Sequence, residues 1–232
     1  MVQYEADLPA DVAFPPTEIK SSLGKLLSQK KLTQLRIAET EKFAHVTYFF
    51  NGGNEEQLPG EDRVIVPSRD VARFEEAPEM RAEELTNRVI EFVKKEKYDF
   101  ILINYANADM IGHTGNFAAA VKAIEEVDRC LGNLIREILA KNGCLLITAD
   151  HGNAEEMINF RTGENDTEHS SNPVPLWFIT KDNHLTEKEN AYTFQVLGLL
   201  SDLTPTILDL FDIPKTKEMS GESLLNLLGF RK

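Results

Sequence analysis

FILINYANADMIGHTGNFAAAVKAIEEVDRCLGNLIREILAKNGCLLITADHGN, residues 100–153, decides how this chain is read. It opens on Phe100-Ile101-Leu102-Ile103, a continuous apolar run that suits a buried parallel strand. From Asn116 to Leu139, Val121, Ile124, Val127, Leu131, Leu134, Ile135 and Ile138 recur at helical spacing and predict a long helix. Leu145-Leu146-Ile147-Thr148 is a second apolar run and predicts a second buried strand. Strand, helix and strand in this order predict an α/β layered domain.

The flanks repeat the alternation. Upstream, Ile19, Leu23, Leu26 and Leu27 predict a helix, Leu35–Ala38 a short strand, and Val64-Ile65-Val66 a strand that Pro67 ends. The stretch Glu39 to Phe50 fits helix or strand equally, and Asn51-Gly52-Gly53 is a turn. Ala82 to Lys97 is amphipathic, with Leu85, Val89, Phe92 and Val93 on one face. Downstream, Val174–Ile179 predicts a third buried strand and Leu203–Phe211 a closing helix. Residues 1–17, with Pro9, Pro15 and Pro16, have the composition of a linker. An α/β domain ordinarily begins on a central strand, so a start in linker-like sequence is unusual.

Composition bounds the function. The 232 residues carry 25 basic and 38 acidic side chains, a net charge of -13. Such a surface repels nucleic acid and anionic lipid, so neither is an expected partner. An anionic substrate remains compatible, because a bound metal or a lysine reverses the potential locally. The chain has no run of 18 apolar residues and no secretory pattern at its N-terminus, so the expected location is the cytoplasm. Its two cysteines, Cys130 and Cys144, have no metal-like spacing and are expected to be buried thiols.

The chemistry-bearing residues gather at the predicted strand ends. Asp109 and His113 follow the Phe100 strand, Asp150 and His151 follow the Leu145 strand, and His169 precedes the Val174 strand. In open parallel sheets ligands bind beyond the carboxyl ends of the strands. Carboxylate and imidazole together accept Mn²⁺, Zn²⁺ or Mg²⁺, with imidazole tilting the choice away from Mg²⁺. Asp109 and His113 stand one helical turn apart and reach one ion if that segment is helical. Singly, each has a plain alternative: Asp150 as a helix N-cap, His169 as a surface residue. Jointly, three of the five histidines and two aspartates at strand ends point to a metal site. His45 and His184 lack such company and are expected to be structural or surface residues.

Several motifs resemble the cofactor-independent (2,3-bisphosphoglycerate-independent) phosphoglycerate mutases. They are Leu35-Arg36-Ile37-Ala38-Glu39-Thr40-Glu41-Lys42-Phe43-Ala44-His45-Val46-Thr47, Phe49–Gly53, Pro59–Arg63, Asn107–Gly115, Thr148–Glu155 and Ser171–Pro175. The wider relatives, alkaline-phosphatase-like phosphohydrolases and phosphopentomutases, share the Asp-His-Gly-Asn pattern but not the run ending at Lys42. The resemblance implies an alkaline-phosphatase-like three-layer α/β domain and interconversion of 3-phosphoglycerate and 2-phosphoglycerate in glycolysis and gluconeogenesis. It implies two divalent metal ions, Mn²⁺ foremost, and no bisphosphoglycerate cofactor. By the same resemblance Asp109, His113 and His169 hold one ion, Asp150 and His151 contribute to the second, and Lys42 contacts the substrate phosphoryl group.

The family's longer chains begin with a first part of the metal domain that carries the nucleophilic serine, followed by an inserted substrate-binding domain. The resemblance therefore makes residues 1–17 the tail of that insertion and 18–232 the C-terminal part of the metal domain. On that reading the fold is incomplete, for want of the N-terminal strand segment. Ser21, Ser22, Ser68, Ser170, Ser171, Ser201, Ser220 and Ser223 lie outside the nucleophile's context, so no nucleophile is assigned and the chain alone is expected to be inactive. A separate N-terminal segment is a possible partner. The alternatives are a metal-dependent phosphatase or phosphodiesterase of the same superfamily, which Lys42 in its motif argues against, and a non-catalytic metal-binding remnant, which the missing serine favours.

Overall fold

A computed structural model describes residues 19–159, 161–182 and 196–230. The expected linker 1–17 and His184 lie outside the described residues. The centre of the fold is β1 (Gln34–Glu39), every residue of which is buried. It runs parallel to β2 (Glu61–Val66) on one side and to β3 (Phe100–Asn104) on the other, with Gln34 opposite both Glu61 and Phe100. Side chains alternate across a strand, and the two faces of β1 are chemically different. Leu35 and Ile37 pack with Val66, with Leu85 and Val89 of α2 (Ala82–Lys94), and with Leu134 of α4 (Phe117–Ala140). Gln34 and Arg36 turn towards α1 (Leu23–Gln29): the Gln34 amide donates to the Gly24 carbonyl at 2.9 Å. Helices thus cover both faces of the three-stranded sheet, which makes three layers.

A buried guanidinium needs compensation. Arg36 is fully buried, lies 4.5 Å from the Phe50 ring centroid and 5.1 Å from that of Phe100, and donates to Gln34 Oε1 at 2.5 Å. Burial lowers its pKa to about 10, which still leaves it charged near neutrality. On the same side Leu23 and Leu27 meet Leu208 of α5 (Leu203–Leu210) and Ile213. Helix α1 begins at Leu23, four residues after Ile19, because the Ser22 hydroxyl caps it by accepting from the Lys25 N–H at 3.3 Å. The ambiguous stretch after β1 is neither long helix nor strand. It is a 3-10 turn, Thr40–Lys42, followed by a π-helical turn, His45–Phe49, and then Gly52 and Gly53 at positive φ.

Three expectations need correction. First, Leu145–Thr148 forms β4 but does not join the parallel sheet among the described residues. It pairs antiparallel with β5 (Leu176–Ile179), Leu145 opposite Ile179. The chain between them doubles back through the bridges Gly152–Ser170 and Ile158–Asn165 instead of crossing over through a helix, so β5 returns in the opposite sense. Both strands are only partly buried, and Trp177 is exposed. Second, the apolar period of α4 does not mark one core face. Ala119, Ala120 and Ala123 are buried against Ile111 and Met157, while Phe117, Val121 and Ile124 are exposed. The small residues admit the neighbouring helix closely, so the buried stripe lies about 120° around from the large one. Third, Cys130 is buried as expected but Cys144 is exposed, in the turn that leads into β4. His45 is exposed. No described helix is long and apolar enough to cross a membrane.

Candidate metal centre

The carboxyl ends of β1, β3 and β4 each release a segment that contributes to one cluster. After β3 the chain enters α3 (Asn107–Gly112), a short helix that periodicity alone does not announce. The Asn107 amide anchors it by donating to the Pro78 carbonyl at 2.8 Å. The helix makes the spacing of Asp109 and His113 effective: His113 Nε2 lies 3.1 Å from Asp109 Oδ1. His113 Nδ1 lies 2.6 Å from the Thr167 carbonyl, which can only accept, so Nδ1–H donates there and Nε2 is turned towards the cluster.

The loop between β4 and β5 supplies the rest. His169 Nε2 sits 3.0 Å from Asp109 Oδ1 and 3.1 Å from His113 Nε2. His151 Nε2 is 3.9 Å from the same carboxylate oxygen, and its ring stacks on His169 at 3.7 Å between centroids. Asp150 stays outside this cluster. Its side chain is 56% exposed and its nearest approach is 3.6 Å, to His151 Nε2. The geometry therefore gathers Asp109, His113, His151 and His169 and leaves Asp150 at the rim.

These donors fit a divalent ion. Ligand atoms about 2.1 Å from one ion, at right angles, lie about 3 Å apart. Asp109 Oδ1, His113 Nε2 and His169 Nε2 are mutually separated by 3.0–3.1 Å.

Lys42, from the 3-10 turn after β1, is buried and pairs its ammonium directly with Asp109 Oδ2. Burial pushes the Asp109 carboxyl up, but the hydrogen bond and charge of Lys42, with the Asn153 amide and His113, outweigh it and hold the pKa down at about 2. The carboxylate is thus ionised and held from both sides before any ion arrives. Two contributors escaped sequence reasoning. Asn153 donates from Nδ2 to Asp109 Oδ1 at 3.0 Å, and Glu155 accepts from the Asn153 N–H at 2.7 Å. Their signal was the Asp-His-Gly-Asn-Ala-Glu string itself, where two polar residues follow the ligands at once.

A family model described as "Metalloenzyme superfamily" matches residues 12–215. The chain belongs to the metalloenzyme superfamily. Its fold is mixed α/β with a parallel sheet, of the alkaline-phosphatase-like type. It is 47% identical over 226 residues to a 2,3-bisphosphoglycerate-independent phosphoglycerate mutase of Clostridium botulinum, covering 97% of this chain and 43% of that protein. A protein of Methanosarcina barkeri named 2,3-bisphosphoglycerate-independent phosphoglycerate mutase 2 is 50% identical over 225 residues, covering 97% and 41%. Among solved structures, a Leishmania mexicana phosphoglycerate mutase at low cobalt concentration superposes with a TM-score of 0.80 at 30% identity, over 96% of this chain and 43% of that one. The chain spans about two-fifths of the length of the curated relatives it matches. Superfamily membership and the cluster around Asp109 together support binding of a divalent metal ion.

Proposed function

We propose that this chain is the C-terminal, metal-bearing part of a 2,3-bisphosphoglycerate-independent phosphoglycerate mutase acting on 3-phosphoglycerate and 2-phosphoglycerate in the cytoplasm. The observation that carries the reading is the joint placement of Lys42 and three imidazoles around one carboxylate, Asp109. Phosphoryl transfer spreads negative charge over three equatorial oxygens, and a site that performs it needs fixed positive charge there. Lys42 offers an ammonium held in a buried position, which a phosphoryl oxygen could share with Asp109. Divalent ions, Mn²⁺ foremost, would supply charge stabilisation and would lower the pKa of a hydroxyl nucleophile.

Asp109, His113 and His169 are the ligand set we assign to the tighter ion. His151 and the exposed Asp150 are assigned to a second, weaker ion, since two protein ligands fall short of the three or four that a stable site commonly uses. The phosphoryl-accepting serine is assigned to polypeptide outside these 232 residues, and no bisphosphoglycerate cofactor takes part. Residues 1–17 are assigned to the tail of a substrate-binding domain and 18–232 to the metal domain.

The test is reconstitution. The isolated chain in excess Mn²⁺ should leave 3-phosphoglycerate unchanged. Mixed with the part of the C. botulinum relative that it does not match, it should produce 2-phosphoglycerate, and His169→Ala, Asp150→Ala or Lys42→Ala should sharply reduce that turnover. Turnover by the isolated chain at a rate like that of the long enzymes would show the serine assignment to be wrong. A mixture that folds and binds metal yet only releases inorganic phosphate from phosphate esters would favour the phosphatase alternative. A mixture with neither activity would favour a non-catalytic remnant.

A further inference from the structure

The loop that carries His169 is held against the turn that carries His151 by two neighbouring carboxylates: Glu156 Oε2 accepts from Asn172 Nδ2 at 2.8 Å, and Glu155 reaches three donors. We propose that Glu155 is a positioning residue that locks these two segments together and thereby sets the spacing of the imidazoles around Asp109. The inference rests on the metal reading above for its consequence and on hydrogen bonds alone for its geometry.

Glu155 Oε2 accepts from the Asn153 N–H at 2.7 Å, and Oε1 accepts from the Ser170 hydroxyl and from Asn172 Nδ2, the latter at 3.1 Å. One carboxylate thus bonds to the residue after the His151-Gly152 pair, to the neighbour of His169, and to the residue two beyond it. The backbone adds one more tie, from the Ser170 N–H to the Gly152 carbonyl at 2.9 Å. Asn153 carries the lock on to the carboxylate ligand, donating from Nδ2 to Asp109 Oδ1 at 3.0 Å. It is buried.

Two glycines make room for this arrangement. A Cβ on Gly152 would overlap Ser170 Oγ and Glu155 Oε1, and one on Gly112 would overlap Asn153 Oδ1. Each glycine therefore lets a polar side chain pass where any other residue would displace it. Donors hold both oxygens of Glu155, and the hydrogen bonds hold its carboxyl below the usual carboxylate range against the upward push of burial. An ionised carboxylate gripped by three donors acts on the cluster through His151, Asn153 and His169.

The test uses the full chain with Co²⁺ as probe and compares wild type, Glu155→Gln, Ser170→Ala and the double variant. In the metal-free chain the stacked rings of His151 and His169 shield one another, and Glu155→Gln should move both sets of ring proton resonances towards free-imidazole positions. Its metal-free melting temperature should stay close to wild type. Co²⁺ should bind about tenfold more weakly to Glu155→Gln, a loss typical of removing a group that orients a ligand, with an altered visible spectrum. Ser170→Ala removes one of the three donors to the carboxylate and should move the ring resonances less than Glu155→Gln, and the double variant should fall short of the sum because both changes act in one hydrogen-bonded network.

Unchanged ring resonances in Glu155→Gln would overturn the positioning role whatever the metal does. A weakened affinity with an equally lowered metal-free melting temperature would overturn it too, in favour of general stability. Wild type that takes up no Co²⁺ while Glu155→Gln still moves the ring resonances would instead defeat the metal reading and leave the lock standing.

Discussion

The two sheets of this molecule are built to different standards. Around β1 the core is closed: Leu35, Ile37, Leu85 and Val89 are fully buried, and even the polar residues of that strand are sealed in. Around β4 and β5 it is open: Trp177 is exposed, and of the four residues of β4 none is fully buried. The metal cluster straddles this divide. Lys42, Asp109 and His113 hang from the closed half, and His151 and His169 hang from the open one. Two of the proposed ligands, Asp109 and His113, are therefore placed from the packed side. The others are placed by a few hydrogen bonds, and a bound ion would add most order there, where the scaffold is weakest.

The largest effect should come at the hinge of the comparison. Asp109→Ala removes the carboxylate that both halves share and leaves the Lys42 ammonium buried without its partner. Metal affinity should fall on the order of 100-fold or more, and the metal-free chain should lose about 3 kcal/mol in denaturant unfolding, as buried pairs do when one member is removed. A chain that binds metal as before would break the assignment outright.

Next in size is the contrast between the cores. Leu35→Ala should cost about 3 kcal/mol, as a fully buried leucine commonly does. Trp177→Ala on β5 should cost less than about 1 kcal/mol, as substitutions on an exposed surface usually do. Equal losses would mean that the β4–β5 sheet is as well supported as the parallel one. That result would remove the reason to expect ordering by metal.

How much of this was legible follows the same divide. Leu35–Ala38, Phe100–Ile103 and Ala82–Lys97 announce their elements because buried parallel strands and core helices leave unbroken or periodic apolar runs. Leu145–Thr148 announces a strand just as clearly, but a run of four residues carries no information about its partner, and the antiparallel return runs through a loop closed by the Gly152–Ser170 and Ile158–Asn165 bridges. The stripe that starts with Val121 and Ile124 misleads at that end of the helix, since alanines at 119, 120 and 123 do the burying there. The candidate ligands were legible by their types and their places at strand ends. The one cluster they form was not, because that needs the loop geometry bringing His169 beside His113, and the ion pair of Lys42 with Asp109 spans 67 positions in sequence.

The smallest effect should lie away from both sheets, at Asp202, which precedes α5. Its carboxylate accepts from the Leu199 N–H at 2.8 Å and the Glu222 N–H at 2.9 Å, and these bonds lower its pKa. A carboxyl with a lowered folded-state pKa contributes stability above its unfolded value, about 3.9, and loses it as pH falls through the folded value. Stability curves of wild type and Asp202→Asn should therefore converge below about pH 4 and separate slightly above it. A gap of constant size at every pH would mean that the charge contributes nothing.

Hydrogen exchange with and without Co²⁺ tests most directly the claim that one metal centre joins the two halves. Added Co²⁺ should slow exchange across residues 145–159 and 161–179 and leave β1, β2 and β3, already protected, nearly unchanged. The same addition to Asp109→Ala should slow nothing. Protection that fails to rise in the β4–β5 half of the wild-type chain, or that rises just as much in Asp109→Ala, would contradict the account.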